Sequence, residues 1–142
     1  MPRIHTYLTF NGNCREALSF YKNCLNAELN LQTVGESPLS ETMPDKMKNC
    51  ILQGILFTKN FVIMGSDMVG HKGLQQGNNM SLMLDCESEE EIERLFSLLS
   101  GGGQVLHPLE RTHLGAMIGD FTDRYGNNWL LHCKGTNTDA ER

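Results

Sequence analysis

The sequence predicts an α+β fold made of two consecutive βαβββ modules. The first observation is a pair of helix candidates with the same residue pattern, at residues 13–25 and 88–100. The second is that one apolar strand candidate precedes each helix and three follow it. A pattern that recurs at one spacing indicates an internal repeat, so the chain is expected to contain the same module twice.

The first helix candidate begins with a capping signal and continues with a helical apolar stripe. Asn13 can cap the helix, and Glu16, three residues later, can reach back to it. The stripe has the i, i+3, i+4, i+7 spacing of a half-buried helix and consists of Ala17, Phe20, Tyr21 and Cys24.

The second helix candidate repeats this pattern 75 residues later. Ser88 is the expected cap, and Glu91 is its partner three residues on. The apolar stripe consists of Ile92, Leu95, Phe96 and Leu99. Six matching positions at one offset support the repeat.

The strand candidates complete each module. In the first module they lie at residues 4–10, 28–34, 50–58 and 61–65, and in the second at 80–84, 103–109, 114–122 and 127–133. Residues 36–48 are polar, have no counterpart in the second half, and are expected to form a surface loop with a helical turn. We therefore expect modules at 1–75 and 76–134 within one structural domain, followed by a flexible tail at 135–142.

Composition narrows the range of functions. The net charge is −5 and the twelve Lys and Arg residues are scattered, so no basic stripe indicates a nucleic-acid partner. No apolar run reaches membrane-spanning length, and no signal-peptide apolar region is visible at the N-terminus. The five cysteines form no Cys-x-x-Cys pair, and most of them are expected to be buried thiols in a reducing cytosol. A cytoplasmic protein without nucleic-acid or membrane partners is expected.

Four stretches together resemble a known family. They are YLTFNGNCREALSFY (7–21), GSDM (65–68), GNNMSLMLDCESEEEIERLF (77–96) and GAMIGDFTDRYGNNW (115–129). In this order and spacing they resemble the PhnB-like branch of the vicinal oxygen chelate superfamily, which includes glyoxalase, bleomycin resistance proteins and ring-cleaving dioxygenases. The resemblance implies curved mixed sheets that enclose a cavity, a homodimer, and a divalent metal held by the first and fourth strands of each half.

The residues at the implied metal-ligand positions form an incomplete set. His5 matches the first-strand position, whereas the other three positions fall near Met64, Asn79 and Leu130. Divalent cations of this kind prefer imidazole and carboxylate ligands, so no metal cofactor is expected. Strand alternation places His5 and Tyr7 toward the cavity. The opposite, helix-facing side is expected to hold Ile4, Leu8 and Phe10.

The site could bind a molecule without a metal, or it could belong to an enzyme that uses His5. His132 has the same strand parity as Leu130, and a cluster of His5, His132 and a carboxylate would restore a metal site. Polar side chains that could orient a substrate are Tyr7, Asn79, Ser81 and Asn128. The favoured hypothesis is a metal-poor cavity that binds a small, partly apolar molecule, and the rival is a lyase or isomerase that uses His5.

Relatives of this kind also carry an old name, demethylubiquinone methyltransferase. The sequence has no glycine-rich strand-to-helix turn of the type that holds a nucleotide-like cofactor. A repeated βαβββ module is also a different architecture from the folds that use such a turn. We therefore expect no methyl transfer.

Overall fold

Two helices of equal length stand at equivalent positions in the two halves of the chain. The computed structural model describes residues 1–135, and its helices span Cys14–Leu25 (α1) and Glu89–Ser100 (α2). Both start and end 75 positions apart, so the predicted repeat is confirmed. Within the described residues, neither helix is long and apolar enough to cross a membrane.

The chain divides into two compact units, with the boundary between Gln75 and Gln76. The first unit holds a four-stranded sheet in the spatial order β1-β4-β3-β2. Its strands are Thr6–Thr9 (β1), Glu28–Thr33 (β2), Ile51–Thr58 (β3) and Phe61–Ser66 (β4). β1 runs parallel to β4, whereas the other neighbours are antiparallel. The expected polar loop forms three short 3-10 turns between β2 and β3.

The second unit repeats this topology. Its strands are Leu82–Cys86 (β5), Gln104–Arg111 (β6), Met117–Thr122 (β7) and Asn128–Cys133 (β8). They are arranged in the order β5-β8-β7-β6, with β5 parallel to β8 and the other pairs antiparallel. The predicted α+β fold with one helix and one mixed four-stranded sheet in each half is confirmed.

Each helix packs one apolar stripe against its own sheet. In α2 all four predicted residues are buried. In α1 the stripe is rotated slightly, because Cys14 and Leu18 are buried while Phe20 is only half-buried. Leu18, which was not part of the predicted stripe, packs against the sheet at Gly54 and Gly65.

The first strand of each unit begins later than expected. Thr6 is the first residue with a β4 partner, Ile63, and Ile4 lies outside the sheet with 99% of its surface exposed. The expectation that Ile4 faces the helix was wrong, whereas Phe10 is buried. In the second unit Met80 likewise precedes the strand and is exposed.

The two helix N-termini are capped differently. Ser88 Oγ accepts a hydrogen bond from the Glu91 backbone N–H at 3.1 Å, as predicted. The Asn13 side chain makes no capping bond, so the predicted capping box of α1 was wrong. The buried carboxylate of Asp67 accepts the Cys14 N–H instead.

Trp129 anchors the core of the second unit. It is buried, its ring stacks on Phe121 with centroids 6.5 Å apart, and its indole Nε1–H donates to Asp123 Oδ2 at 2.8 Å. The turn after β7 closes with a bond from the Gly126 N–H to the Asp123 carbonyl. Gly126 has a φ of +88°, a conformation that favours glycine. Residues 136–142 of the expected tail lie outside the described residues.

Candidate functional site

The first sheet has one face that packs on α1 and one that does not. A Cβ placed on Gly54 or Gly65 would lie against the Leu18 side chain of α1, so both glycines mark the helix-packed face. Successive residues of a strand point to opposite faces. The neighbouring residues Ile55 and Met64 therefore point to the other face, which we call the first helix-free face.

A row of four side chains crosses the first helix-free face. Tyr7 is the Cα partner of Met64, Met64 of Ile55, and Ile55 of Asn30. Paired residues point to the same side of a sheet, so these four lie side by side. The row has apolar side chains at its centre and a phenol and an amide at its ends, and Tyr7 is exposed.

The second sheet is arranged in the same way. A Cβ on Gly119 would meet the Phe96 ring of α2, which marks the helix-packed face. Ile118 and Asp120, on either side of Gly119, therefore point to the second helix-free face. Two cross-strand rows lie on this face: Asp85, His132, Ile118 and Glu110, and Met83, Leu130, Asp120 and His107.

Two histidine–aspartate pairs stand on the second helix-free face. His132 Nδ1 lies 2.9 Å from Asp85 Oδ1, and His107 Nδ1 lies 2.6 Å from Asp120 Oδ1. The His107 side chain is 82% exposed, whereas that of His132 is 21% exposed. Water therefore competes strongly for hydrogen bonds with the His107 imidazole and much less with the His132 imidazole.

The residues at the implied metal-ligand positions do not fit a divalent cation. His5 is exposed and precedes β1, so it is outside the hydrogen-bonded part of the sheet. Met64 and Leu130 lie on the helix-free faces but offer a thioether and a hydrocarbon, which are not ligands for such ions. Among residues 1–135, no group of three or more His, Cys, Asp or Glu side chains is arranged to hold a metal.

The predicted polar residues of the second unit occupy two different settings. Asn79 and Ser81 are exposed and precede β5. Asn128 lies at the start of β8, and its amide Nδ2 donates to the carbonyl oxygens of Gly77 and Met80 at 2.9 and 3.2 Å. Asn128 therefore holds the segment that leads into β5.

The buried thiols are poor nucleophiles. Burial raises the pKa of Cys14 to about 12, with a further contribution from the negative charge of Asp67. Burial likewise raises the pKa of Cys86 to about 12, and it raises the pKa of Cys133. All five cysteines are free, and only Cys50 among them is less than fully buried. The other four thiols belong to the core, as the sequence indicated for most of them.

Sequence reasoning missed the histidine–aspartate pairs and the structural role of Asp67. Asp85 and His132 are 47 residues apart, and only the parallel pairing of β5 with β8 makes them neighbours. One signal for the position of Asp85 was available in the sequence. Apolar residues alternate along this strand, at Leu82, Leu84 and Cys86, and this alternation places Asp85 on the face away from the helix.

Comparisons with known proteins agree with this architecture. The family model described as 3-demethylubiquinone-9 3-methyltransferase matches residues 2–132. Protein YjdN of Escherichia coli strain K12 is 29% identical, over 93% of this chain and 95% of its own. The crystal structure of protein PA1353 from Pseudomonas aeruginosa is 37% identical and superposes with a TM-score of 0.82, over 94% of this chain and 98% of that one.

Two further solved structures relate the chain to a wider group. The PhnB protein from Bacillus cereus is 28% identical with a TM-score of 0.76, over 93% of this chain and 99% of that one. A glyoxalase/bleomycin resistance protein/dioxygenase family enzyme from Burkholderia phytofirmans shares the fold, with a TM-score of 0.61 at 12% identity, over 90% of this chain and 96% of that one. The chain therefore belongs to the 3-demethylubiquinone-9 3-methyltransferase family, the PhnB-like branch of the glyoxalase and bleomycin resistance fold.

Proposed function

We propose that the protein binds a small, partly apolar molecule on the helix-free faces of its sheets, without a metal ion. The observation that carries this proposal is the mixed character of the cross-strand rows. On the first face Met64 and Ile55 stand between the phenol of Tyr7 and the amide of Asn30. Binding surfaces for small molecules combine apolar area with a few polar groups that fix orientation.

The second helix-free face offers the same combination. Leu130 and Ile118 are apolar. His132 adds one imidazole, which stands between Ile118 and Asp85 in the same cross-strand row. Of the residues predicted to contact the ligand, Leu130 and His132 belong to this face, and Tyr7 and Met64 belong to the first. His5, Asn79 and Ser81 would contact a ligand from the segments that precede β1 and β5.

The residue types at the implied metal-ligand positions favour binding without a metal over a metal-dependent lyase or isomerase. A lyase or isomerase of the metal-dependent type needs several imidazole or carboxylate ligands around one ion. The described part of the chain places a methionine and a leucine where two of them would stand, and His5 is exposed.

The first strand-to-helix turn argues against a methyl-transfer role. A nucleotide-like methyl donor would need free backbone N–H groups in such a turn. In this chain the N–H groups of Gly12 and Cys14 donate to Asp67 Oδ1 at 3.0 and 2.9 Å. The turn is therefore occupied by the protein's own carboxylate, and we assign no methyl transfer to it.

A homodimer in the cytoplasm completes the proposal. β6 is an edge strand of the second sheet, and Val105 and Leu106 on it are both exposed. Exposed apolar edge strands are surfaces that a second chain can pair with or cover. Five free thiols are typical of a reducing compartment.

Methionine methyl groups allow a direct test of ligand binding. Protein with 13C-labelled methionine methyls would be titrated with neutral single-ring compounds such as toluene and cyclohexanone. We expect shifts at Met64 or Met83, which lie on the helix-free faces, and none at Met117, which lies on the helix-packed face. Shifts confined to Met117, or no shift with any compound, would contradict the proposal.

A further inference from the structure

The His132–Asp85 pair presents one defined hydrogen-bond acceptor. A carboxylate can only accept hydrogen bonds, so an imidazole nitrogen that lies 2.9 Å from it carries the proton. In the neutral ring the other nitrogen, Nε2, is then an acceptor. Within residues 1–135 this Nε2 has no hydrogen-bond partner. The pair therefore holds a single unsatisfied acceptor at the second helix-free face.

Besides Asp85, three neighbours of His132 on this face are apolar. Leu130 stands two residues earlier on the same strand, and Ile118 is the Cα partner of His132 on β7. Met83 stands two residues before Asp85 on β5. The His132 side chain is only 21% exposed, and an acceptor in such a half-buried setting beside hydrocarbon side chains gains more from a hydrogen bond than an acceptor in open water.

The charges near this acceptor disfavour anions. Arg111 is the one Lys or Arg in the eight strands of the described chain. It lies on the helix-packed side of the second sheet, where its guanidinium binds the Glu89 carboxylate at the start of α2. The second helix-free face instead carries the carboxylates of Asp85, Asp120 and Glu110. Along these strands a carboxylate or phosphate ligand would meet like charges and no cation, since Lys134 is exposed and follows the end of β8.

We propose that this face recognises an uncharged compound with a hydroxyl group on an apolar body, and that the hydroxyl donates its proton to His132 Nε2. The apolar body lies along Leu130, Ile118 and Met83. Asp85 acts as a positioning residue, because it keeps the proton on Nδ1 and so keeps Nε2 an acceptor. This inference rests on the proposed binding function and specifies the ligand class for the second face.

Three ring compounds of similar size test whether a hydroxyl donor, an oxygen atom alone or a negative charge is recognised. Cyclohexanol has a hydroxyl donor, methoxycyclohexane has the oxygen but no donor, and cyclohexanecarboxylate has an anion. Each would be titrated into the full chain while the Met83 methyl and the His132 ring nitrogens are followed by NMR. We expect cyclohexanol to bind about threefold to tenfold more tightly than methoxycyclohexane, the effect of one neutral hydrogen bond. The carboxylate should bind most weakly.

Three variants test the individual residues. His132→Leu should reduce the affinity for cyclohexanol to that for methoxycyclohexane and leave the affinity for the ether unchanged. Asp85→Leu removes the acceptor that holds the proton on Nδ1, so the 15N shifts should report a larger share of the tautomer with the proton on Nε2, and the preference for the alcohol should weaken. His107→Leu is the matched control, since it removes the exposed imidazole of the other pair, and the preference should persist.

The outcomes distinguish this inference from the broader one. Binding of methoxycyclohexane as tight as that of cyclohexanol, or tighter binding of the carboxylate, overturns the hydroxyl assignment and leaves small-molecule binding intact. The comparison of the three compounds needs only the natural chain, so it stands even if a variant does not fold. No shift at Met83 or His132 with any of the three overturns the assignment of this face. If toluene and cyclohexanone also leave the Met64 methyl unshifted, the proposed binding function is contradicted as well.

Discussion

The carboxylate of Asp67 caps the first helix across a separation of 53 residues, because its Oδ1 accepts the backbone N–H of Cys14 at 2.9 Å. The same oxygen accepts the Gly12 N–H, and Oδ2 accepts the Ile51 N–H at 2.8 Å. Asp67 is only 7% exposed. One buried side chain thus joins the start of α1 to the start of β3, and it places negative charge at the positive end of the helix dipole.

Replacing Asp67 by Asn should strongly destabilise the first unit. The amide keeps one carbonyl oxygen but turns an NH2 group toward a backbone N–H that needs an acceptor. We expect the free energy of unfolding to fall by about 3 kcal/mol, since a buried bond to a charged group is lost and a buried donor is left unpaired. Denaturant unfolding of the variant and the natural chain would measure this. A loss below about 1 kcal/mol would show that water or another group replaces the carboxylate.

The two local capping positions should differ in their contribution to stability. Ser88→Ala removes the bond from the Glu91 N–H and should lower the free energy of unfolding by about 1 kcal/mol. Asn13→Ala is the matched control, because the Asn13 side chain makes no capping bond, and it should change stability by less than about 0.5 kcal/mol. Equal losses in the two variants would contradict the difference in capping.

The cysteines should react with thiol reagents in an order set by burial. Cys50 is the most accessible and should be labelled first by a disulfide reagent at pH 8. Cys14 and Cys86 should react only after unfolding, because burial raises the pKa of each to about 12 and keeps the thiols protonated. Mass spectrometry of the labelled peptides would establish the order. Labelling of Cys14 as fast as that of Cys50 would contradict it.

The same thiols predict a loss of stability in alkali. Their pKa values in the folded chain lie above the ordinary value of 9.0, so the unfolded chain loses these protons first as the pH rises. The stabilisation is fully present below pH 9 and declines as the pH approaches 12. Cys14→Ala should show a smaller drop in melting temperature between pH 9 and pH 11 than the natural chain. An identical drop would assign the alkaline effect to other groups.

Divalent ions should have little effect on the protein. A site occupied at a hundred times its dissociation constant would raise stability by about 2.7 kcal/mol, which a melting curve detects easily. We expect zinc, nickel and iron to leave the melting temperature nearly unchanged and to be present at well under one equivalent in purified protein. Stoichiometric metal that disappears in His5→Ala would favour the metal-dependent enzyme, with His132 the next residue to test.

The chain should sediment as a dimer at micromolar concentration. If β6 forms part of the contact, Leu106→Glu should shift the population toward the 16.0 kDa monomer, because it places a charge on an apolar edge strand. Leu98→Glu is the control, since Leu98 is an equally exposed leucine on α2 rather than on a strand edge. A monomer at all concentrations would refute the dimer, and equal effects of the two variants would place the contact elsewhere.

Local sequence patterns are sufficient to predict the architecture of each unit. Helical spacing and the constant offset of 75 residues located α1 and α2, and the alternation of apolar residues located the strands. These signals are local, because the period of a helix or strand is carried by residues close together in the chain. Trp129 alternates with Leu131 and Cys133, and Asp123 and Gly126 are turn-forming residues, so local patterns also indicate that Trp129 is buried and that a turn ends at Gly126.

The tertiary structure alone decided which distant side chains meet. Asp67 reaches Cys14 only because β4 ends beside the start of α1, and Asp85 reaches His132 only because β5 pairs with β8 in one particular register. The first residue of β1 was likewise set by its partner on β4, which is why Ile4 lies outside the sheet. Register depends on packing and hydrogen bonding between separate segments, and a shift by one residue would turn every side chain to the other face.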